Sequence, residues 1–225
     1  MRILALDSSG AACSAALWVD GRIRARRLEI MARGQAERLV PLLLEVMAEG
    51  ALAFTEIDLY AATTGPGFFT GLRIGLAALR GLALAAAKPM LGITSFEAVA
   101  HGTRADERRC RTLLVLLESK RQDLYAQAFG ETLLPAGDPG AWLPEGLAAT
   151  LAGQSLLLAG DAAGRAASAL AAAGCDIRHT TAPAHPDAAV VAALAAMRAA
   201  SASRSPPAPL YLRPPDVTVP GPGLR

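Results

Sequence analysis

An α/β protein whose strands come in threes before the helices begin is what this chain predicts, and three stretches carry the prediction. "RILALDSS" (from Arg2) alternates and ends in polar residues, so it reads as a buried strand. "CSAALWVDGRIRARRLEI" follows at once, with an Asp20-Gly21 turn between two extended runs, a strong short-range hairpin signal. From Gln35 onward, helical and strand periods alternate. The predicted order is three strands, helix, strand, helix, strand, helix, the βββαβαβα plan of the ribonuclease H-like fold.

Each later element has its own signal. In "QAERLVPLLLEVMAEG" (35–50), Leu39, Leu42, Leu43 and Val46 fall at helical spacing. Gly50 is placed to end that helix, and Pro41 lies within its first two turns, where a missing N–H costs least. "DLYAATT" (58–64) is a strand. A Gly65-Pro66-Gly67 turn then feeds a helix with Thr70 as its expected cap. "PMLGI" is a short strand, and "SFEAVAHG" a short helix capped by Ser95. The polar stretch "GTRADERRCR" leads to a second block: paired strands "TLLVLLES" and "DLYAQAFG", strand "SLLLAGD", helix 162–173, strand "CDIRHT", and a helix opened by Pro186 and running to about Ala200. The second block looks like a shorter version of the first, although no repeat is visible residue by residue. The division expected is 1–102, 103–212 and a Pro/Gly-rich tail over 213–225.

Composition narrows the functions. At 225 residues and 52% hydrophobic, the chain can bury a sizeable core. A net charge of +2 is not the footprint of a protein that holds nucleic acid unaided. Cys13, Cys110 and Cys175 are far apart and without CxxC spacing, which fits reduced cysteines in the cytoplasm. The segment 74–87 falls short of the roughly 20 apolar residues of a membrane span and contains Arg80. His101, His179 and His185 lack HxxxH or HExxH spacing, and no GxSxG occurs. No catalytic, cofactor-binding or metal set is therefore expected.

Four places invite a site. Asp7 ends the first strand beside Ser8, Ser9 and Gly10, where backbone N–H groups can cradle an anion; a capped strand-to-hairpin turn is the plainer reading. The Gly-Pro-Gly turn before a helix N-terminus leaves an anion site and a simple tight turn both open. Glu118, Lys120, Arg121 and Asp123 read as a solvated hairpin tip. The helix after Thr70 carries Gly71, Gly75 and Ala78 on one side and Leu72, Leu76 and Leu79 on another. Helical glycines cost roughly 1 kcal/mol each, so their recurrence predicts close backbone approach, and two apolar sides predict a partner helix.

These residues carry a resemblance. "ILALDSS", "GPGFFTGLRIGLAALRGLA", "GITSFEAVA", "ESKRQDLYAQAF", "LAGDAAG" and "YLRPPD" resemble, in order and over almost the whole chain, the TsaB (YeaZ) family of tRNA threonylcarbamoyladenosine biosynthesis. The resemblance implies a two-lobed actin-like fold of the sugar kinase–chaperone superfamily, made of tandem ribonuclease H-like domains. It implies a non-catalytic, cytoplasmic partner of TsaD, joined by TsaE in a larger complex, meeting tRNA only through that complex, with no cofactor of its own. The complex would transfer a threonylcarbamoyl group from threonylcarbamoyl-AMP, which TsaC makes, to N6 of the adenosine beside the anticodon. An actin-fold ATPase or small-molecule kinase is the alternative. In the family the partner surface is the helical face of the first lobe, which can also form homodimers. The expected interface is Leu39, Leu42, Leu43 and Val46 of the first helix with Gly71, Leu72, Gly75, Leu76, Ala78 and Leu79 of the second.

Overall fold

The computed structural model describes residues 1–203 and 205–213. The expected tail lies, apart from Arg213, outside the described residues. Strands β1 (Arg2–Asp7), β2 (Ala12–Val19) and β3 (Arg22–Ile30) form the meander that the Asp20-Gly21 turn predicts. Helix α1 (Gln35–Gly50), β4 (Leu59–Thr63), α2 (Phe69–Ala85), β5 (Met90–Ile93) and α3 (Ser95–Gly102) follow. The second block contains a short α4 (Ala105–Arg108), then β6 (Thr112–Glu118), β7 (Leu124–Phe129), β8 (Gly140–Trp142), α5 (Pro144–Thr150), β9 (Ser155–Ala159), α6 (Ala163–Ala172), β10 (Asp176–His179) and α7 (Ala188–Met197). The sheets run β3-β2-β1-β4-β5 and β8-β7-β6-β9-β10. In each, three antiparallel strands are followed by two parallel ones. The repeat invisible in the residues is thus explicit in the topology. The fold is the two-lobed actin-like one.

The two halves interlock. Helices α1 and α2 cover one face of the first sheet, burying Leu39, Leu42, Val46, Leu76 and Leu79 against Leu4, Leu6 and Leu17. Its other face is covered by α7, whose Val191, Ala192 and Leu194 pack on Ile3, Ala5 and Ala61. Reciprocally, α3 sends Phe96, Val99 and Ala100 onto Leu113, Val115 and Leu157 of the second sheet, while α5 and α6 cover that sheet's remaining face. Each repeat's last helix therefore serves the other repeat's sheet. This exchange explains why α7 is apolar all round: it is enclosed between the first sheet and α3.

Two predicted caps are corrected. Helix α3 is capped by Thr94, not Ser95. Thr94 Oγ1 accepts the Glu97 N–H at 3.1 Å and Glu97 accepts the Thr94 N–H at 3.0 Å, a reciprocal box. Ser95 is the first helical residue, and its hydroxyl turns inward to Ser9 Oγ at 3.1 Å. Helix α2 begins at Phe69 with Phe68 in the cap position and no side-chain cap, so Thr70 is an exposed helical residue. No helix among the described residues is long and apolar enough to cross a membrane.

Candidate functional site

At the end of β1 the Asp7 carboxylate is fully buried. Its Oδ1 accepts from the Ser9 N–H at 3.1 Å, Ser9 Oγ at 2.6 Å and Thr63 Oγ1 at 2.5 Å. Its Oδ2 has no hydrogen-bond partner among the described residues. Burial pushes the carboxyl up from its ordinary 3.8 to about 6, against the lowering pull of those hydrogen bonds and the nearby His185. His185 Nδ1 lies 3.6 Å from Asp161, whose carboxyl burial also raises.

The turn that Asp7 organises packs against the Gly-Pro-Gly turn and the start of α2. The Phe68 N–H donates to the Ser9 carbonyl at 2.6 Å. A Cβ added at Gly67 would land on that Ser9 carbonyl, and one at Gly71 on the Ser8 carbonyl. Ser8 Oγ donates to the Gly71 carbonyl at 2.9 Å. The β1–β2 turn thus packs closely under the first turn of α2, so the glycines of the Gly-Pro-Gly turn and of the helix start serve close packing.

Because Asp7 gains its high pKa on folding, the folded state binds an extra proton between about pH 4 and 6. Stability therefore falls as pH rises through that window, and above it the full cost, about 3 kcal/mol, is present. Asp7→Asn is expected to flatten this part of the curve. Urea midpoints for both proteins at pH 4.5 and 8 check it: the wild type should lose more than the variant between the two. Parallel curves would show that Asp7 does not titrate there.

The expected interface needs correction. Leu39, Leu42, Leu43 and Val46 are at most 2% exposed, and Leu72, Leu76 and Leu79 at most 3%, all inside their own chain. Gly71 and Gly75 are buried as well, and a Cβ at Gly75 would strike Ser8 Oγ. The close approach that their spacing predicts is real, but what approaches is the β1–β2 turn of the same chain. Among the ten, Ala78 is partly exposed at the edge of the core, and the buried Leu43 also lines the groove between the two helices.

The surface that does lack cover lies one step round both helices. Val40 (54% exposed) and Leu44 (53%) stand a turn apart on α1, and Leu84 (83%) near the end of α2. A groove of about 380 Å³ runs between the helices, lined by Val40, Leu44, Phe54, Ala77, Ala78 and Gly81 among others, with no charged residue. A Cβ at Gly81 would meet nothing within 4 Å. Large apolar residues rim a floor of small ones, the relief into which an apolar ridge of another protein fits. The signal was present in sequence: Val40 and Leu44 interrupt a polar face at i, i+4, and Ala77 and Gly81 repeat that spacing on α2.

The hairpin tip is less solvated than its composition suggests. Asp123 is 3% exposed and pairs with Ser119 Oγ (2.9 Å) and with Arg213. Glu118 accepts from Arg165 at 2.5 Å, and Lys120 reaches the other lobe, its Nζ 3.7 Å from the centre of the Phe68 ring.

Comparison with known proteins adds the following. The family model described as TsaD, tRNA N6-adenosine threonylcarbamoyltransferase, matches residues 29–148. The tRNA threonylcarbamoyladenosine biosynthesis protein TsaB of Escherichia coli K12 is 35% identical over 125 residues, 56% of this chain and 53% of that protein. The chain spans about half the length of the curated relatives it matches first. The structure of YeaZ from Pseudomonas aeruginosa superposes with a TM-score of 0.78 at 26% identity, covering 94% of this chain and 99% of that one. The ROK hexokinase of Thermus thermophilus, 14% identical with a TM-score of 0.50 over 89% of this chain and 100% of that one, shares the fold alone.

Proposed function

The chain belongs to the TsaB (YeaZ) family, and on that premise we propose that it is the accessory, activating subunit of the tRNA threonylcarbamoyladenosine complex. Its partner is the TsaD of the same organism, held as a heterodimer, with TsaE joining the larger assembly in the cytoplasm. TsaC supplies threonylcarbamoyl-AMP, TsaD carries out the transfer to N6 of the adenosine beside the anticodon, and this chain contributes a docking face rather than a reacting group. When TsaD is absent, the same face pairs two copies of the chain.

The observation that carries this reading is the uncovered groove between α1 and α2. Exposing Val40, Leu44 and Leu84 to water forgoes roughly 25 cal/mol for each Å² of apolar surface, and a second protein recovers it. The groove also lies on the helical face where the family resemblance places the partner. The test is an omission assay with TsaC, TsaD, TsaE, ATP, bicarbonate, threonine and unmodified tRNA, in which product is expected only when this chain is added.

A further inference from the structure

A cleft of about 740 Å³ opens between the two lobes on the side of the Gly-Pro-Gly turn. Its lining is strongly biased. Among the described residues Arg33, Lys120, Arg121 and Arg213 line it, against Glu37 as the one acidic residue, in a chain of 22 basic and 20 acidic side chains. Phe68, Phe69, Tyr125 and Tyr211 line it too, out of only five Phe, three Tyr and two Trp in the chain. Arg213 is committed to Asp123. Arg33 stands exposed on the first lobe and Lys120 on the second, so cations flank the cleft from both sides.

The aromatic residues form a platform at the cleft mouth. The Phe69 and Tyr211 rings lie 5.5 Å apart and remain 42% and 40% exposed. The Arg73 guanidinium sits 3.8 Å over Phe69 and donates to Tyr211 Oη at 3.0 Å, which fixes both rings and adds a further positive charge. Exposed rings beside cations on two sides are what unpaired bases and their phosphates require.

We propose that this cleft binds a single-stranded stretch of RNA, with a base on the Phe69–Tyr211 platform and flanking phosphates at Arg33 and Lys120. The choice of RNA rests on the tRNA-modification reading above. A strand suits the cleft better than a free nucleoside triphosphate. The cations are split between two lobes instead of gathered at one point. The near-neutral chain makes this a weak contact that the complex would reinforce.

The test uses the purified full chain and a fluorescein-labelled RNA hairpin with a seven-nucleotide loop, read by anisotropy at 20–200 mM salt. Wild-type protein should bind at low salt. Arg33→Glu with Lys120→Glu should weaken binding by tenfold or more and reduce the salt slope by about 1.4, from about 0.7 per phosphate contact on a single strand. Tyr211→Ala should weaken it by about tenfold. A hairpin carrying 4-thiouridine in the loop should crosslink to peptides containing Phe69 or Tyr211. All three side chains are surface residues, and circular dichroism confirms folding. The proposal is overturned by variants that bind like wild type, by no binding at the lowest salt, by crosslinks confined to other regions, or by equal binding of a blunt duplex. Competition by AMP at the same concentration as the hairpin would overturn it in favour of a mononucleotide site. None of these results bears on the omission assay, which reads the complex's product.

Discussion

Val40→Glu combined with Leu44→Glu is expected to abolish association with TsaD, weakening it at least a hundredfold, while the monomer stays folded. Both side chains are about half exposed, so replacing them removes little from the chain's own core. Once covered by a partner, two carboxylates would be buried without counter-charges, which costs several kcal/mol, and each 1.4 kcal/mol is a factor of ten. The same variant should abolish any homodimer. Sedimentation velocity and calorimetry measure both. Glu145→Lys, exposed on α5 of the other lobe, is the control and should bind normally. Wild-type affinity in the double variant would place the interface elsewhere.

Gly71→Ala is expected to destabilise the fold by about 3 kcal/mol, lowering Tm by about 6–12 °C. An exposed helical glycine normally gains up to about 1 kcal/mol on becoming alanine, so the sign is diagnostic. At Gly71 the added methyl lands on the Ser8 carbonyl oxygen, part of a backbone fixed by the Asp7 turn. Gly81→Ala, on the same helix with open space round it, should instead raise Tm slightly. Thermal unfolding of the two monomers decides the matter. If Gly71→Ala were neutral and Gly81→Ala destabilising, the small-residue stripe would face outward after all.

The contrast between these glycines shows what could be read from the sequence. Periodicity located the meander, α1, α2 and both parallel strand pairs, because one buried face imposes a period of 2 or 3.6 whatever covers it. It could not identify what does the covering. Gly71 and Gly75 report close approach truthfully but look the same whether a partner or the chain's own turn approaches. Likewise, the all-apolar α7 announces burial on several sides, whereas the exchange of α3 and α7 between sheets depends on topology. Strand β8, "GAW" with Pro139 and Pro144 nearby, is too short to show a period. The docking groove is legible only in part: Leu43 and Ala78 of the expected interface line it, whereas Val40, Leu44 and Gly81 are masked by the stronger pattern of the core-facing leucines. The aromatic platform brings Tyr211 to Phe69 across most of the chain, so no local window contains it.

The central claim, that this chain is an activating subunit acting through the α1–α2 face, is tested most directly by the omission assay run three ways: without the chain, with wild type, and with the Val40→Glu/Leu44→Glu variant. Threonylcarbamoyladenosine in tRNA, measured by mass spectrometry of the digested nucleosides, should appear with wild type and be absent or at background in the other two. Equal product in all three reactions would contradict the account.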